Sequence, residues 1–433
     1  MKISGWGRFP AIDANVVVPA DMVGWKAALG EHASIIARGL GRSYGDSANG
    51  PVVLQSDYLD HYIKFDAQQG ILQCEAGLSL HEVLNCIIPK GWFLPVTPGS
   101  GYVTIGGAVA SDVHGKNHHM NGTFGEHVIA LELLLGSGDI LQISRTQHPE
   151  LFHATCGGMG LTGVILSVTL KLKPIQSSLI SQTTIKTANL EEILHQFDVN
   201  QNSTYSVAWI DCLAKGSQLG RSILMLGEHS TEGGLSLSHP KNLSVPVDMP
   251  SALLNTYSIA AFNSLYYSQA KKSIHQSEVS YMNYFYPLDG LQNWNRLYGK
   301  EGFIQYQFVL PKASGYVGMR DILEHISDAG KGSFLAVLKG FGPQNSNYLS
   351  FPFEGYTLAL DFKAEQATFD LVKTLDPLVV DYGGRIYLAK DALMSQETFK
   401  RGYPRWVEFE EIRKNYHALG KFASSQSRRL GLA

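Results

Sequence analysis

Residues 98–119 place five glycines and three histidines within one short stretch. A backbone so rich in glycine is a poor helix or strand. Glycine is used where the chain must turn sharply or let a ligand come close. A second cluster, Gly39, Gly41 and Gly45, lies upstream and follows the apolar segment 34–37. Two such loops, each entered from an apolar segment, predict a protein that wraps backbone N–H groups around a pyrophosphate. Neither loop reads GxGxxG with an acidic residue about twenty positions on, and neither reads GxxxxGK[ST]. If a dinucleotide binds, it is held in a different way.

The rest of the chain narrows the classes. At 433 residues it is long enough for two or three domains, and 44% apolar residues supply ample core. A net charge of −3 argues against a nucleic-acid partner. The first ten residues lack an apolar leader and no apolar run reaches membrane-spanning length, so a cytoplasmic chain without a signal peptide is expected. Cys74, Cys86, Cys156 and Cys212 form no CxxC pair and read as buried thiols. No third ligand at helical spacing accompanies His118 and His119, so no metal site is expected.

Periodicity predicts short strands and hairpins at 63–76 and 128–144, a helix over 79–89 opened by a Ser79/Glu82 capping box, a short helix over 148–155, and a strand over 163–172. This is an α+β pattern, not a long βαβα alternation. Segments 206–210, 305–310, 334–338 and 357–362 read as strands of one broad sheet in an aromatic-rich middle region. Patterning weakens over 237–275, the segment expected to move, where 253–267 suits an amphipathic helix.

The ordered series of motifs resembles a known family. Gly39 to Gly45, then Pro98 and Gly99, Thr104 to Ala108, and His114 and Gly115 are similar to the FAD-binding domain of the vanillyl-alcohol-oxidase / p-cresol-methylhydroxylase superfamily. Within it the chain resembles the decaprenylphosphoryl-β-D-ribose 2′-oxidase family. Trp6, Lys116, Trp294, Gln305, Gln307, Phe341 and the run 387–391 carry that likeness, and the C-terminal stretch 403–430 is similar to sugar-lactone oxidases. The resemblance implies a two-subdomain FAD-binding domain built from 1–175 and 385–433. A substrate domain, 176–384, would cover the flavin with a broad antiparallel sheet.

The resemblance also implies residue roles. FAD would be held by Arg38, Gly39, Leu40, Gly41, Arg42, Ser43, Tyr44, Gly45, Pro98, Gly99, Thr104, Ile105, Gly106, Gly107, Ala108, Asp112, His114, Gly115, Gly163, Val164 and Lys390. Arg42 stands where covalently flavinylated members carry histidine, which implies dissociable FAD. Lys390 is the first candidate for catalysis. Tyr44 and His114 follow as candidates for proton removal, with no choice between them. Lys116, Trp209, Tyr286, Gln307, Lys339, Phe341, Thr357 and Ala359 would line the substrate pocket. Thr357 and Ala359 replace the asparagine and cysteine of the mycobacterial enzymes, so inhibition through that thiol is not expected here.

The implied reaction is oxidation of the 2′-hydroxyl of a polyprenyl-phosphate-linked ribose to a 2′-keto sugar, the first half of an epimerisation to arabinose. A partner NAD(P)H-dependent reductase would complete it, and the lipid carrier implies peripheral contact with the inner membrane. Two other readings stay open: a soluble alditol or aldonolactone oxidase, and a flavin-binding scaffold without activity.

Overall fold

The computed structural model describes residues 1–238, 243–250 and 253–432. The fold is α+β. Near the N-terminus a three-stranded parallel sheet orders Asn15–Val17, Val52–Gln55 and Ile36–Arg38. Beside it lies a five-stranded antiparallel sheet, in the order Ile140–Ser144, Val128–Leu134, Val164–Lys171, Ile71–Glu75, Tyr62–Asp66. Both expected hairpins are edges of this sheet. The Asp66 carboxylate accepts from the Gln68 and Gln69 N–H groups, and Gly70 completes the turn with φ +63°. The predicted capping box is present, with Ser79 Oγ accepting from Glu82 N at 3.2 Å and Glu82 returning to Ser79 N at 2.8 Å. The helix it opens, Leu80–Ile87, buries Leu80, Val83, Leu84 and Ile87 on one face.

An eight-stranded antiparallel sheet dominates the remainder. Its order is Ile274–Ser280, Leu179–Thr187, Ser222–His229, Tyr205–Ile210, Val337–Phe341, Gly355–Lys363, Phe303–Pro311 and Arg385–Ile386. The register sets Gln305 opposite Asp361, Gln307 opposite Ala359 and Lys339 opposite Thr357. Because side chains alternate between faces, 305, 307, 337, 339, 357, 359 and 361 all belong to one face. The last strand is short and leads directly into the turn that carries Lys390.

Three sequence expectations differ from the structure. Glycine does not keep the 98–119 run free of helix: Ile105–Ala110 is helical, capped by Thr104 Oγ1, which accepts from Gly107 N at 3.1 Å. The glycines serve close packing instead, since a Cβ on Gly106 would sit 2.9 Å from Ala76 Cβ. The expected strand over 334–338 begins later, at Val337. In the 237–275 segment, residues 239–242 and 251–252 lie outside the described residues, and the expected helix spans Thr256–Gln269. That helix is not cleanly amphipathic: Asn263 is buried against Asp211 (2.9 Å), while Tyr257 and Leu265 are exposed. Three cysteines are buried, Cys86 is half-buried, and all four are free thiols. No helix among the described residues is long and apolar enough to cross a membrane.

The C-terminal segment folds back onto the N-terminal sheet. Ile35 N donates to Lys421 O and Ala423 N to Ile35 O, at 2.8 and 2.9 Å. Arg413, fully buried, ties this return together. It donates to Leu161 O at 3.0 Å and Phe422 O at 2.9 Å, reaches Leu432 O, and pairs with Glu410. Arg413→Ala would leave those acceptors and Glu410 without their donor. Denaturant unfolding should show a loss of about 3–5 kcal/mol, and a midpoint equal to wild type would contradict this role.

Candidate active site

One cavity of about 590 Å³ lies between the glycine loops and one face of the eight-stranded sheet. The loop side is built by Arg38 to Tyr44, Pro98, Gly99, Thr104, Gly106 and Gly107. Among the described residues, the N–H groups of Leu40, Gly41, Arg42 and Ser43 donate to no protein acceptor. Four consecutive free donors on a loop facing a cavity form an anion cradle. Gly41 holds φ +63°, and a Cβ on Gly39 would strike Thr104 Oγ1 at 2.3 Å. The cradle therefore needs glycine for both its turn and its closeness to the Thr104 cap. These donors fit a dinucleotide pyrophosphate such as that of FAD. Arg38 contributes differently. Its guanidinium holds the loop by donating to Ser4 O, Asn49 Oδ1 and Ala48 O at 2.7, 2.7 and 3.2 Å. Arg42 stacks on Trp6, 4.1 Å from the ring centroid.

The sheet side presents Trp209, Gln305, Gln307, Lys339, Ala359 and Asp361, joined by Lys116, His114 and Lys390. Three ammonium groups thus converge on one cavity. They lie deep in the molecule yet open to the cavity itself. Burial lowers the Lys116 pKa to about 7 and that of Lys339 to about 8, with Lys339 also pushing Lys116 down. Burial lowers Lys390 as well, opposed by the Asp361 carboxylate. Lys390 Nζ stands 3.8 Å from the centroid of the Tyr44 ring, and Lys116 Nζ 4.3 Å from that of Tyr284 while donating to Tyr284 O.

The protonation of His114 follows from its neighbours. Thr357 Oγ1 donates to Phe308 O (2.7 Å), so it accepts from Gln307 Nε2 (3.2 Å). The Gln307 amide nitrogen also faces His114 Nε2 at 3.0 Å, which makes Nε2 an acceptor and leaves the proton on Nδ1. Burial among Phe341, Phe351 and Tyr387 holds the ring neutral, well below the ordinary histidine range. Burial pushes the Tyr44 phenol up, so it stays protonated.

Several expected site residues stand outside the cavity wall. Gly45 packs on the backbone of Asp391, where a Cβ would meet a carbonyl at 1.8 Å. Ile105 and Ala108 are core. Gly115 packs against Thr97 and Asn117. Asp112 is a buried clamp that accepts from Gly125 N, Asn345, Asn347 and Ser350 at 2.6–2.9 Å. Tyr286 bonds Thr97, Phe341 packs on His114 and His118, and Thr357 orients Gln307. His118 and His119 are not cavity neighbours. His118 Nδ1 accepts from Gly342 N, and His119 Nε2 bonds Ser203 O. Gly163 and Val164 do line the wall. The sequence reading missed Asp361, Gln305, Tyr284 and Tyr387 as wall residues. For Asp361 the signal was present: one carboxylate in a run of apolar strand residues, two positions from Ala359.

Comparison with known proteins fits this geometry. Residues 24–144 match the FAD binding domain family. A decaprenylphosphoryl-beta-D-ribose oxidase of Mycolicibacterium smegmatis is 36% identical, covering 100% of this chain and 97% of that protein. An uncharacterized protein from the mprA 5′ region of Streptomyces coelicolor is 32% identical over 82% of this chain and 100% of its own length. L-gulonolactone oxidase of Bos taurus is 32% identical over only 32% of this chain and 31% of its own. A relative matched from end to end, an FAD-domain match and a glycine-built anion cradle lead to one conclusion: the chain belongs to the decaprenylphosphoryl-β-D-ribose oxidase family of FAD-dependent oxidoreductases.

Proposed function

We propose that this protein oxidises the 2′-hydroxyl of a polyprenyl-phosphate-linked ribose to the 2′-keto sugar, with FAD held non-covalently. The observation that carries the substrate class is the convergence of Lys116, Lys339 and Lys390 on the sheet side of the cavity, against two carboxylates, Asp289 and Asp361, among the described wall residues. Ammonium groups desolvated in this way are stabilised by an anionic ligand, and a sugar phosphate supplies one. A neutral alditol or aldonolactone would leave Lys116 and Lys339 unpaired. We assign residues 1–175 and 385–433 to cofactor binding and 176–384 to the substrate.

Bound FAD supplies a hydride acceptor. The protein supplies orientation and a proton acceptor. His114 Nε2 is occupied by Gln307 and its Nδ1 carries the proton, while Tyr44 holds its own proton; neither suits the base role. Lys390, with its pKa lowered by burial, has a neutral amine available much nearer physiological pH than a free lysine. In this assignment Nζ takes the hydroxyl proton, and Gln307 and Lys339 hold the sugar and its phosphate. The keto product calls for a reductase of the NAD(P)H-dependent class to complete an epimerisation. The exposed Tyr257, Leu265 and Ile274, beside Lys271 and Lys272, would face an anionic lipid surface next to the wall residues Phe262 and Tyr266.

The decisive experiment is anaerobic bleaching of the flavin. Polyprenyl-phosphate ribose should reduce it, and free alditols and aldonolactones should not; the reverse pattern would reject the assignment. Lys390→Met should retain FAD and lose bleaching by at least about a hundredfold, the usual scale of general-base loss. In the wild type the bleaching rate should rise with pH through a midpoint well below that of a free lysine. A rate flat with pH, or wild-type bleaching by the variant, would remove Lys390 from the proton-transfer step. Acid precipitation should release all yellow colour to the supernatant, since Arg42 offers no imidazole for a flavin bond; colour in the pellet would overturn this. Co-sedimentation with anionic vesicles should weaken in a Tyr257→Ser/Leu265→Ser variant, and unchanged binding would exclude that face from docking.

A further inference from the structure

Asp361 has no part in the scheme above, yet its surroundings are those of a functional group. It is 1% exposed and lies mid-strand, opposite Gln305 in the antiparallel register. Its backbone N–H donates to Ser333 Oγ at 3.0 Å, which fixes the strand locally. One carboxylate oxygen accepts from the Gln305 amide, and the other, Oδ2, has no hydrogen-bond partner. A buried carboxylate left half-satisfied is costly unless a positive charge faces it.

Lys390 supplies that charge. Its ammonium lies over the Tyr44 ring, and Gln305, the side chain that holds Asp361, lines the same cavity wall as Tyr44. Lys390, Tyr44, Gln305 and Asp361 all line this one cavity. The four residues come from four separate parts of the chain, so their convergence is a product of the fold. Among the described residues Lys390 and Asp361 make no contact ion pair; burial pushes the Asp361 carboxyl up to about 7, and its attraction to Lys390 across a low-dielectric space opposes that rise. The other groups that bear on Lys390 are Lys339, which repels it, the protonated Tyr44 and the neutral His114. The adjacent Asp391 is turned away onto Arg429 at 2.8 Å. Asp361 is therefore the carboxylate that faces Lys390 among the described residues.

We propose that Asp361 is a positioning residue for Lys390: the counter-ion that holds its side chain over Tyr44 and stabilises the ammonium formed when Nζ takes a hydroxyl proton. This rests on the role assigned to Lys390 above. In that step the O–H bond breaks, an N–H bond forms and the electron pair stays on oxygen. The positive charge appears on nitrogen, facing Asp361.

The test uses the holoenzyme labelled with ¹³Cε-lysine, with the Lys390 resonance assigned by its loss in Lys390→Met. A pH titration of that resonance reads its ionisation directly. Asp361→Asn, which is isosteric and keeps an acceptor for Gln305, should lower the Lys390 midpoint by about one pH unit or more. Asp361→Glu should return it toward wild type. An unchanged midpoint in Asp361→Asn would overturn the proposal. Should that variant lose its fold or its flavin, the reciprocal experiment decides. In Lys390→Met at neutral pH, ¹³C-aspartate infrared difference spectra against wild type should gain a protonated-carboxyl stretch, and absence of the gain would overturn the pairing. Neither readout uses substrate. A failure to bleach with the sugar phosphate would reject the reaction and leave the pairing standing, and an unshifted midpoint would do the opposite.

Discussion

Desolvated ammonium groups are the constraint around which this molecule is arranged. Moving a cation out of water is unfavourable unless other charges or dipoles replace its hydration. Here three lysines stand at one cavity, and the described wall offers them two aspartates and a few carbonyls and ring faces. Aromatic faces recover a part of the lost hydration, as Tyr44 does for Lys390 and Tyr284 for Lys116. The remainder appears as lowered lysine pKa values, which record the cost of charge in this cavity without an anion. On the opposite wall, the free N–H groups of residues 40–43 express the same need for negative charge. The two sides call for two anionic ligands, a cofactor pyrophosphate and a substrate phosphate.

Rigid supports hold these groups in place. The eight-stranded sheet fixes Gln305, Gln307, Lys339, Ala359 and Asp361 by register, and alternation puts them on one face. Lys390 comes from a turn just past the edge strand. Around that turn, Arg429 bridges Asp46 and Asp391, Gln426 holds Leu388 O, and Tyr44 N donates to Ala389 O. The loop bearing Tyr44 and the turn bearing Lys390 are therefore one assembly, closed by the C-terminal helix Ser425–Leu430. Asp112 does similar work from the other side, drawing Asn345, Asn347 and Ser350 against the short helix that follows the second glycine loop.

How much of this was legible in the sequence depended on how local its cause was. The Ser79 capping box, the hairpin over 63–76 and the alternating strands were readable because the interactions that form them span a few residues. The glycine loops were readable as ligand-facing backbone, yet the helix at Ile105–Ala110 was not. Its glycines answer to Ala76, a partner distant in the chain. Asp112 sat within the second glycine run and Tyr286 in the aromatic-rich middle region, but what each side chain touches was fixed by segments far away in sequence. Asp361 was overlooked for the same reason. A lone acid in a strand acquires meaning only when folding brings Lys390 and Gln305 to it. His114 shows the same limit in its chemistry, since its tautomer is set by Gln307 and Thr357 on other strands.

The central claim is that the depressed lysines await an anion, and proton linkage tests it most directly. Isothermal titration of the holoenzyme with a glycosyl phosphate, in buffers of different ionisation enthalpy near pH 8, measures protons taken up on binding. An arriving phosphate raises the Lys116 and Lys339 pKa values from about 7 and about 8, so the account predicts net proton uptake, absent with the dephosphorylated sugar. Binding without proton uptake, at equal affinity for the two ligands, would contradict it.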